Sequence, residues 1–263
     1  DQTIECDAVV FAVGITAAKK LLSSCPPLAA IQETAKWNRL RGVTCLCCRL
    51  FFLDKLPASI STAMKDSPVA VCGARIGDTA ELVETGFCIY DLQRLQDEFR
   101  NSTEIAALEV DFFRADDLCS LTDDKVSQLT LRAVAEALQI APIDAATLVD
   151  VSVVRARNSV SHFSVGSASC TPAETKLRKG LYICGDWVDR TGHASWSTEK
   201  SVVTGRQAAA AIAKDFGVPL PSDATSIIPA APDTPQLGAL RKVAKVLRSL
   251  PGQNKRLPRS PWS

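Results

Sequence analysis

Two short apolar runs, each ending in glycine, constrain this chain more than any other feature. Val9-Val10-Phe11-Ala12-Val13 runs into Gly14, and Leu181-Tyr182-Ile183-Cys184 runs into Gly185-Asp186. A run that is apolar at every position, not at alternate ones, suits a strand covered on both faces. Each is followed by a helical pattern, Ala17 to Leu22 after the first and Ser197 to Lys214 after the second. Between them lies a strand-rich stretch: Gly42 to Leu53 reads as one long strand, then Val69 to Cys72, Gly86 to Tyr90, Ala106 to Phe113 and Leu148 to Val154. A strand and helix at either end, bracketing a sheet-rich middle, predict a mixed α/β fold with one domain built from both ends of the chain and a second inserted between them.

Helix punctuation sharpens this outline. Cys25-Pro26-Pro27 stops the first helix and a second begins near Leu28. Leu92 to Arg100 reads as a charged amphipathic helix. Thr122 caps a helix with Asp123 and Asp124 in its first turn, where carboxylates suit the positive end of the dipole, and Val126, Leu129, Val134 and Leu138 form its apolar face.

Several function classes fall away. A formal net charge of +1 gives no general attraction to nucleic acid. Apolar runs such as Leu50 to Leu53 and Ala208 to Ala213 fall far short of the ~20 residues that span a bilayer. Ten cysteines in a chain of this length without a secretory signal point to free thiols and an intracellular setting. Cys47, Cys72, Cys88 and Cys184 sit in apolar, strand-like runs where a thiol behaves as a small hydrophobe. Cys45, Cys47 and Cys48 lack a second ligand pair at zinc spacing, so no metal is expected. The chain opens on Asp1-Gln2-Thr3 and reaches an apolar run by Ala8, which reads as the middle of a longer protein.

In open α/β sheets ligands bind beyond the carboxyl ends of the strands. Asp186 stands at such an end, and Gly185 lets backbone approach a ligand closely. Ser197 is a good N-cap with Glu199 in the first turn. A helix start here would present free N–H groups to a ligand carrying partial negative charge. Trp187 and Trp196 read equally well as pocket walls and as packing. His162 and His193 are candidate proton-transfer groups, with ordinary loop hydrogen bonding the plainer reading. Arg155 and Arg157, two residues apart on one strand face, suit either an acidic substrate or a solvated edge.

The order Gly180 to Asp186, Ser195-Trp196-Ser197-Thr198-Glu199-Lys200 and Thr204-Gly205-Arg206 resembles the C-terminal flavin-binding motif of the flavin amine oxidase and carotenoid (phytoene) desaturase superfamily. Val9 to Gly14 resembles the strand that precedes the inserted substrate domain there. Phe87 to Leu92 and Ser161 to Ser164 look closer to the desaturase-like branch. The resemblance implies an incomplete Rossmann-like FAD-binding domain, residues 1–36 and 166–217. A mixed sheet-plus-helices substrate domain, 37–165, would be inserted in it, and 218–263 lies outside.

It implies FAD as cofactor, held by Gly14, Gly185, Asp186, Trp196, Ser197, Thr198 and Glu199, with no catalytic residue identified. It also implies hydride transfer from a lipophilic or isoprenoid substrate to flavin, with a quinone or oxygen as electron acceptor and a plastid or membrane-associated location. The alternatives are an amine oxidase, or a non-catalytic scaffold that keeps the fold without flavin. Many members have a small residue where Lys200 stands, so that side chain reads either as a long cation near the flavin or as one that points to solvent. No G-x-G-x-x-G occurs in the chain, so the pyrophosphate-holding turn is absent and the fragment alone is expected to be inactive.

The last segment has its own pattern. Leu237, Leu240, Val243, Leu247 and Leu250 recur at helical spacing among Arg241, Lys242, Lys245 and Arg248, and no acidic residue follows Asp233. Such a helix suits peripheral membrane contact as well as it suits a loosely docked tail.

Overall fold

The computed structural model describes residues 3–73, 85–188, 198–221, 223, 226–228, 232 and 234–249. In chain order its strands are β1 (Val9–Phe11), β2 (Arg41–Leu53), β3 (Val69–Cys72), β4 (Phe87–Asp91), β5 (Ile105–Phe113), β6 (Leu148–His162), β7 (Lys176–Arg178) and β8 (Leu181–Ile183). Its helices are α1 (Ile15–Ser24), α2 (Pro26–Ala29), α3 (Ala58–Ala63), α4 (Leu92–Leu95), α5 (Asp97–Arg100), α6 (Asp123–Leu138), α7 (Thr198–Phe216) and α8 (Pro235–Ser249). The chain divides into two compact units, residues 1–41 with 161–263, and residues 42–160.

The central unit holds a five-stranded sheet in the order β3-β4-β5-β2-β6. Alternation decides which face is buried. Leu46, Cys48, Leu50 and Phe52 of β2, Phe87 and Ile89 of β4, and Leu108, Val110 and Phe112 of β5 all point to one side, against Val126, Leu129 and Val134 of α6. Thr122 caps α6, its hydroxyl oxygen accepting from the Lys125 amide at 3.4 Å. Gln139 closes the helix in the left-handed region at φ 54°. β2 and β6 cross tightly at their ends: a Cβ on Gly42 would fall 1.9 Å from the Asn158 carbonyl oxygen, so only glycine fits. Asn158 itself sits at φ 49°, and its amide donates to the Thr44 hydroxyl at 3.1 Å.

The outer unit holds a three-stranded sheet in the order β1-β8-β7, with β1 parallel to β8 in the register Val9↔Leu181, Val10↔Tyr182, Phe11↔Ile183. Ile15, Ala18, Leu22, Leu28, Trp37, Leu40, Ile183, Trp187 and Val188 form its core. All ten cysteines of the chain are free thiols.

Three sequence expectations need correction. Leu92 to Arg100 is not one helix. Asp91 caps the short α4, accepting from the Gln93 amide at 3.1 Å, and Gln96 turns extended (φ −121°, ψ 131°). Asp97 and Glu98 then open a second helix, so the stretch carries two helix starts where the pattern suggested one. The strand from Leu148 does not end at Val154 but runs on to His162. Arg155 and Arg157 stand on β6, the edge strand of the sheet, Arg155 partly buried and Arg157 exposed, but their guanidinium groups are engaged and not simply solvated. Arg155 donates to the Leu121 carbonyl (2.8 Å) and pairs with Asp123 (2.7 Å), while Arg157 donates to the Cys119 carbonyl (2.6 Å).

Candidate functional site

The parallel pairing of β1 and β8 brings the carboxyl ends of the two glycine-terminated strands side by side. The Val9 amide donates to the Gly180 carbonyl (2.9 Å) and the Cys184 amide to the Phe11 carbonyl (3.0 Å), so Gly14 and Gly185 emerge at the same edge. Gly14 is the N-cap of α1, its carbonyl accepting from the Ala18 amide at 2.9 Å.

Gly185 sits at φ 141°, a conformation that L side chains rarely adopt, and an added Cβ would lie 3.3 Å from the Trp187 ring. Trp187 in turn donates from Nε1 to the Val13 carbonyl at 2.9 Å and meets Trp37 edge-to-face at 5.1 Å. Of its two readings, Trp187 therefore takes the packing role: it locks the end of β8 to the end of β1 inside the core. Asp186 follows, half-buried, with Oδ1 accepting from the Ser161 hydroxyl at 3.0 Å.

Two polar pins aim α7. Near its start, the Thr204 hydroxyl oxygen accepts from the Gly185 amide (2.9 Å), with the Lys200 carbonyl 2.9 Å away to take its proton. Near its end, Asp215 accepts from the Tyr182 hydroxyl and from Lys176 Nζ, each at 2.6 Å. Lys176 and Tyr182 hold the Asp215 carboxyl below its ordinary value through these hydrogen bonds, and Asp215 raises Lys176 in return. Residue 215 thus meets the middle of β8 and residue 204 meets its carboxyl end, so α7 runs antiparallel to β8. Its N-terminus projects about 9 Å further, six residues at a rise of 1.5 Å each, past the edge where Asp186 stands. A helix start aimed there presents its first-turn N–H groups and a positive dipole end.

Of the residues singled out from sequence, Gly14, Gly185 and Asp186 share this edge. Thr198 and Glu199 form the exposed first turn of α7. Trp196, Ser197 and His193 lie outside the described residues. His162 ends β6, half-buried. Lys200 does not face solvent: it is only 2 % exposed, because the turn held by Thr204 faces the sheet.

The central unit carries a second polar assembly, brought together across strands and not along one segment. On the sheet face opposite its core, cross-strand register aligns Tyr90, Glu109 and Arg49 in one row and Cys88, Asp111 and Cys47 in the next. Arg49 grips Glu109 through Nε (2.9 Å) and Nη2 (2.5 Å) and lies 5.8 Å from the Phe99 ring centre. Burial, and then the Glu109 charge, push the Asp111 carboxyl up. Burial and the same two acids push the Cys47 thiol up, which keeps it protonated and unreactive at neutral pH. Tyr90 is pushed up to about 12, chiefly by burial. Ligand atoms of Cys47, Glu109 and Asp111 lie within 4.8 Å of one another. Of the two acids, Glu109 is the one that Arg49 pairs with. The signal was present in β5, where Glu109 and Asp111 alternate with Leu108, Val110 and Phe112, but which residues meet across strands is set by register.

An α/β unit with two parallel strands ending at one edge, a glycine that only φ > 0 satisfies, a carboxylate and a helix N-terminus defines part of a nucleotide-cofactor-binding fold of the flavoenzyme type. The family comparison agrees: residues 1–213 match the model of the flavin containing amine oxidoreductases, and the chain belongs to that family. Its cofactor is accordingly FAD. No curated protein sequence matches the chain.

Among solved structures, the chain is similar to cyclohexylamine oxidase from Brevibacterium oxydans IH-35A. That match has 14 % identity and a TM-score of 0.56, covering 82 % of this chain and 44 % of that one. It is also similar to a protein of Exiguobacterium sp. 255-15 assigned as a protoporphyrinogen oxidase. There the identity is 13 % and the TM-score 0.51, covering 81 % of this chain and 42 % of that one. These likenesses establish the fold. The chain spans less than half the length of either structure.

The residues present suit one side of a flavin. Gly185 leaves no side chain at the strand end, Asp186 offers a carboxylate oxygen to a polyol hydroxyl, and α7 offers N–H donors. The glycine-rich turn that would hold the pyrophosphate is not in this sequence. No helix among the described residues is long and apolar enough to cross a membrane.

Proposed function

We propose that this chain forms the C-terminal flavin-binding part and the substrate domain of an FAD-dependent oxidoreductase acting on a small lipophilic molecule, in the manner of the desaturase-like branch. The observation that carries the reading is the convergence of Gly185, Asp186 and the α7 N-terminus at one strand edge. When bound, FAD supplies the redox chemistry, taking up hydride from the substrate and passing electrons to a quinone or oxygen.

The share of this chain is to bind and orient. Gly14 and Gly185 let backbone approach the cofactor, and Asp186, steadied by Ser161, accepts from a ribityl or ribose hydroxyl. The first-turn amides around Thr198 and Glu199, with Ser197 and Trp196 before them, face the ring edge where negative charge develops on reduction. The Trp187–Trp37 contact and the Thr204 pin keep these groups from moving as the charge changes. Residues 42–160 form the substrate domain. A lipophilic substrate would be met at a bilayer, and the basic stretch after Asp233 is the part of the chain suited to that contact.

An amine substrate is the second reading. It is favoured by the Glu109–Asp111 pair, in which Arg49 pairs with Glu109 and the neighbouring Asp111 carboxyl could meet an ammonium group. The similarity to a cyclohexylamine oxidase points the same way.

The visible absorbance spectrum of the purified full-length protein tests the proposal. Flavin bands that bleach on reduction are expected, and Asp186→Ala should lower flavin occupancy. A folded full-length protein that stays colourless with added FAD would leave only a flavin-free scaffold of the same fold. Full occupancy in Asp186→Ala would remove that residue from the site.

A further inference from the structure

α8 is built to form and built with two faces. Thr234 starts it: its hydroxyl oxygen accepts from the Leu237 amide (3.3 Å) and its carbonyl from the Gly238 amide (2.9 Å). Pro235 then takes the first helical position, where its missing N–H costs nothing. At ~100° per residue, Leu237, Leu240, Val243 and Val246 fall within one half of the helix circumference, and Arg241, Lys242 and Lys245 fall within the other. The apolar half is not buried: Leu237 is 42 % exposed, Leu240 65 %, Val243 54 % and Val246 61 %. The three basic residues are exposed as well.

Leaving such a stripe in water forgoes most of its hydrophobic stabilisation, so the face is made for an apolar surface. The choice among surfaces is decided by charge. No acidic residue follows Asp233, while Arg248, Lys255, Arg256 and Arg259 continue the basic run. A second copy of this segment would bring like charges together. An apolar protein groove would not need a continuous cationic flank. A bilayer carrying anionic headgroups satisfies both halves at once, with the apolar half in the acyl boundary and the lysines and arginine at headgroup level.

We infer that α8 lies flat on anionic phospholipid surfaces and holds the protein there as a peripheral, not spanning, partner of the membrane. The helix is roughly 22 Å long at 1.5 Å per residue, too short and too charged to cross a bilayer. This deepens the membrane contact of the proposed function but needs neither flavin nor catalysis.

The test is co-sedimentation of the complete chain with vesicles of phosphatidylcholine alone and of equal parts phosphatidylcholine and phosphatidylglycerol. Binding to the anionic vesicles only, released by high salt, is expected. Lys242→Glu and Lys245→Glu should each weaken it about fivefold or more, the loss that ~1 kcal/mol per basic residue implies. Leu240→Ser with Val243→Ser should abolish it; all four positions are exposed, so these variants leave the fold intact. Equal binding to both vesicle types would overturn the electrostatic half of the inference. No binding to either would overturn all of it, and an α8-dependent dimer in light scattering would assign the face to a second copy. Because the readout is lipid binding, any of these failures leaves the flavin spectrum, and the reading it tests, unaffected.

Discussion

The two units hold themselves together by different means. In the central unit, β2, β4 and β5 turn an unbroken apolar face onto α6, and Leu50, Ile89, Leu108 and Val110 are wholly buried. In the outer unit the sheet has three strands, and Val9 and Val10 of β1 remain 40 % exposed. What organises its strand ends is a set of specific polar locks: Trp187 on Val13, Thr204 on Gly185 and Asp215 on Tyr182 and Lys176. Burial is tolerant of detail and sums over many atoms. A hydrogen-bonded lock is directional and fixes one geometry. Directional bonds occur in both units, but at the edge that places a carboxylate and a helix N-terminus they set the geometry.

This contrast can be broken by mutation. The largest effect is expected from Phe112→Ala, which empties a site packed 5.3 Å from Phe87 and should cost about 3–5 kcal/mol in urea unfolding. Val10→Ala in β1 should cost less than ~1 kcal/mol. Equal costs would mean that β1 is as deeply supported as β5 and that the contrast is wrong. Next comes Gly185→Ala, which forces a side chain into φ 141° against the Trp187 ring and should cost about 1–3 kcal/mol in thermal unfolding. A neutral result would show that the strand end relaxes freely and is not locked.

Asp215 gives a pH signature. Its carboxyl is held below the usual range, so its contribution is present above the ordinary carboxylate pKa and is lost as pH falls through the depressed value. Asp215→Asn should therefore lower the melting temperature at neutral pH. The difference from the parent chain should vanish at strongly acid pH, and a pH-independent difference would refute the lock. The smallest effect is expected from Arg49→Gln. This partly exposed pair should contribute no more than about 1 kcal/mol to stability. A much larger loss would show that the polar sheet face is part of the central unit's support.

Much of the fold was readable because it depends on local chemistry. The long strand-forming run of β2, the Thr122 cap with its acidic first turn, and the two apolar runs ending in Gly14 and Gly185 each specify an element from a few neighbouring residues. The resemblance carried by Gly180 to Arg206 reached the family, because that order of strand, acid and helix is contiguous in the chain. Where reading failed, the deciding partner was remote. Arg155 and Arg157 looked available until Leu121 and Cys119 offered carbonyls, and Lys200 could be read as a solvent-facing cation until the Thr204 pin set the face of α7.

By itself, then, the sequence determined the kinds of elements and their order, the glycines that only unusual backbone angles require, and the two-faced character of α8. Propensity, periodicity and capping act over a few residues and leave their mark in the string. Only the tertiary structure decided that β1 lies parallel beside β8, and that α7 runs antiparallel to β8 with its start beyond Asp186. It alone placed Cys47, Glu109 and Asp111 in adjoining positions. Register and helix direction come from contacts between residues tens to more than a hundred positions apart, and such contacts exist only once the chain has folded.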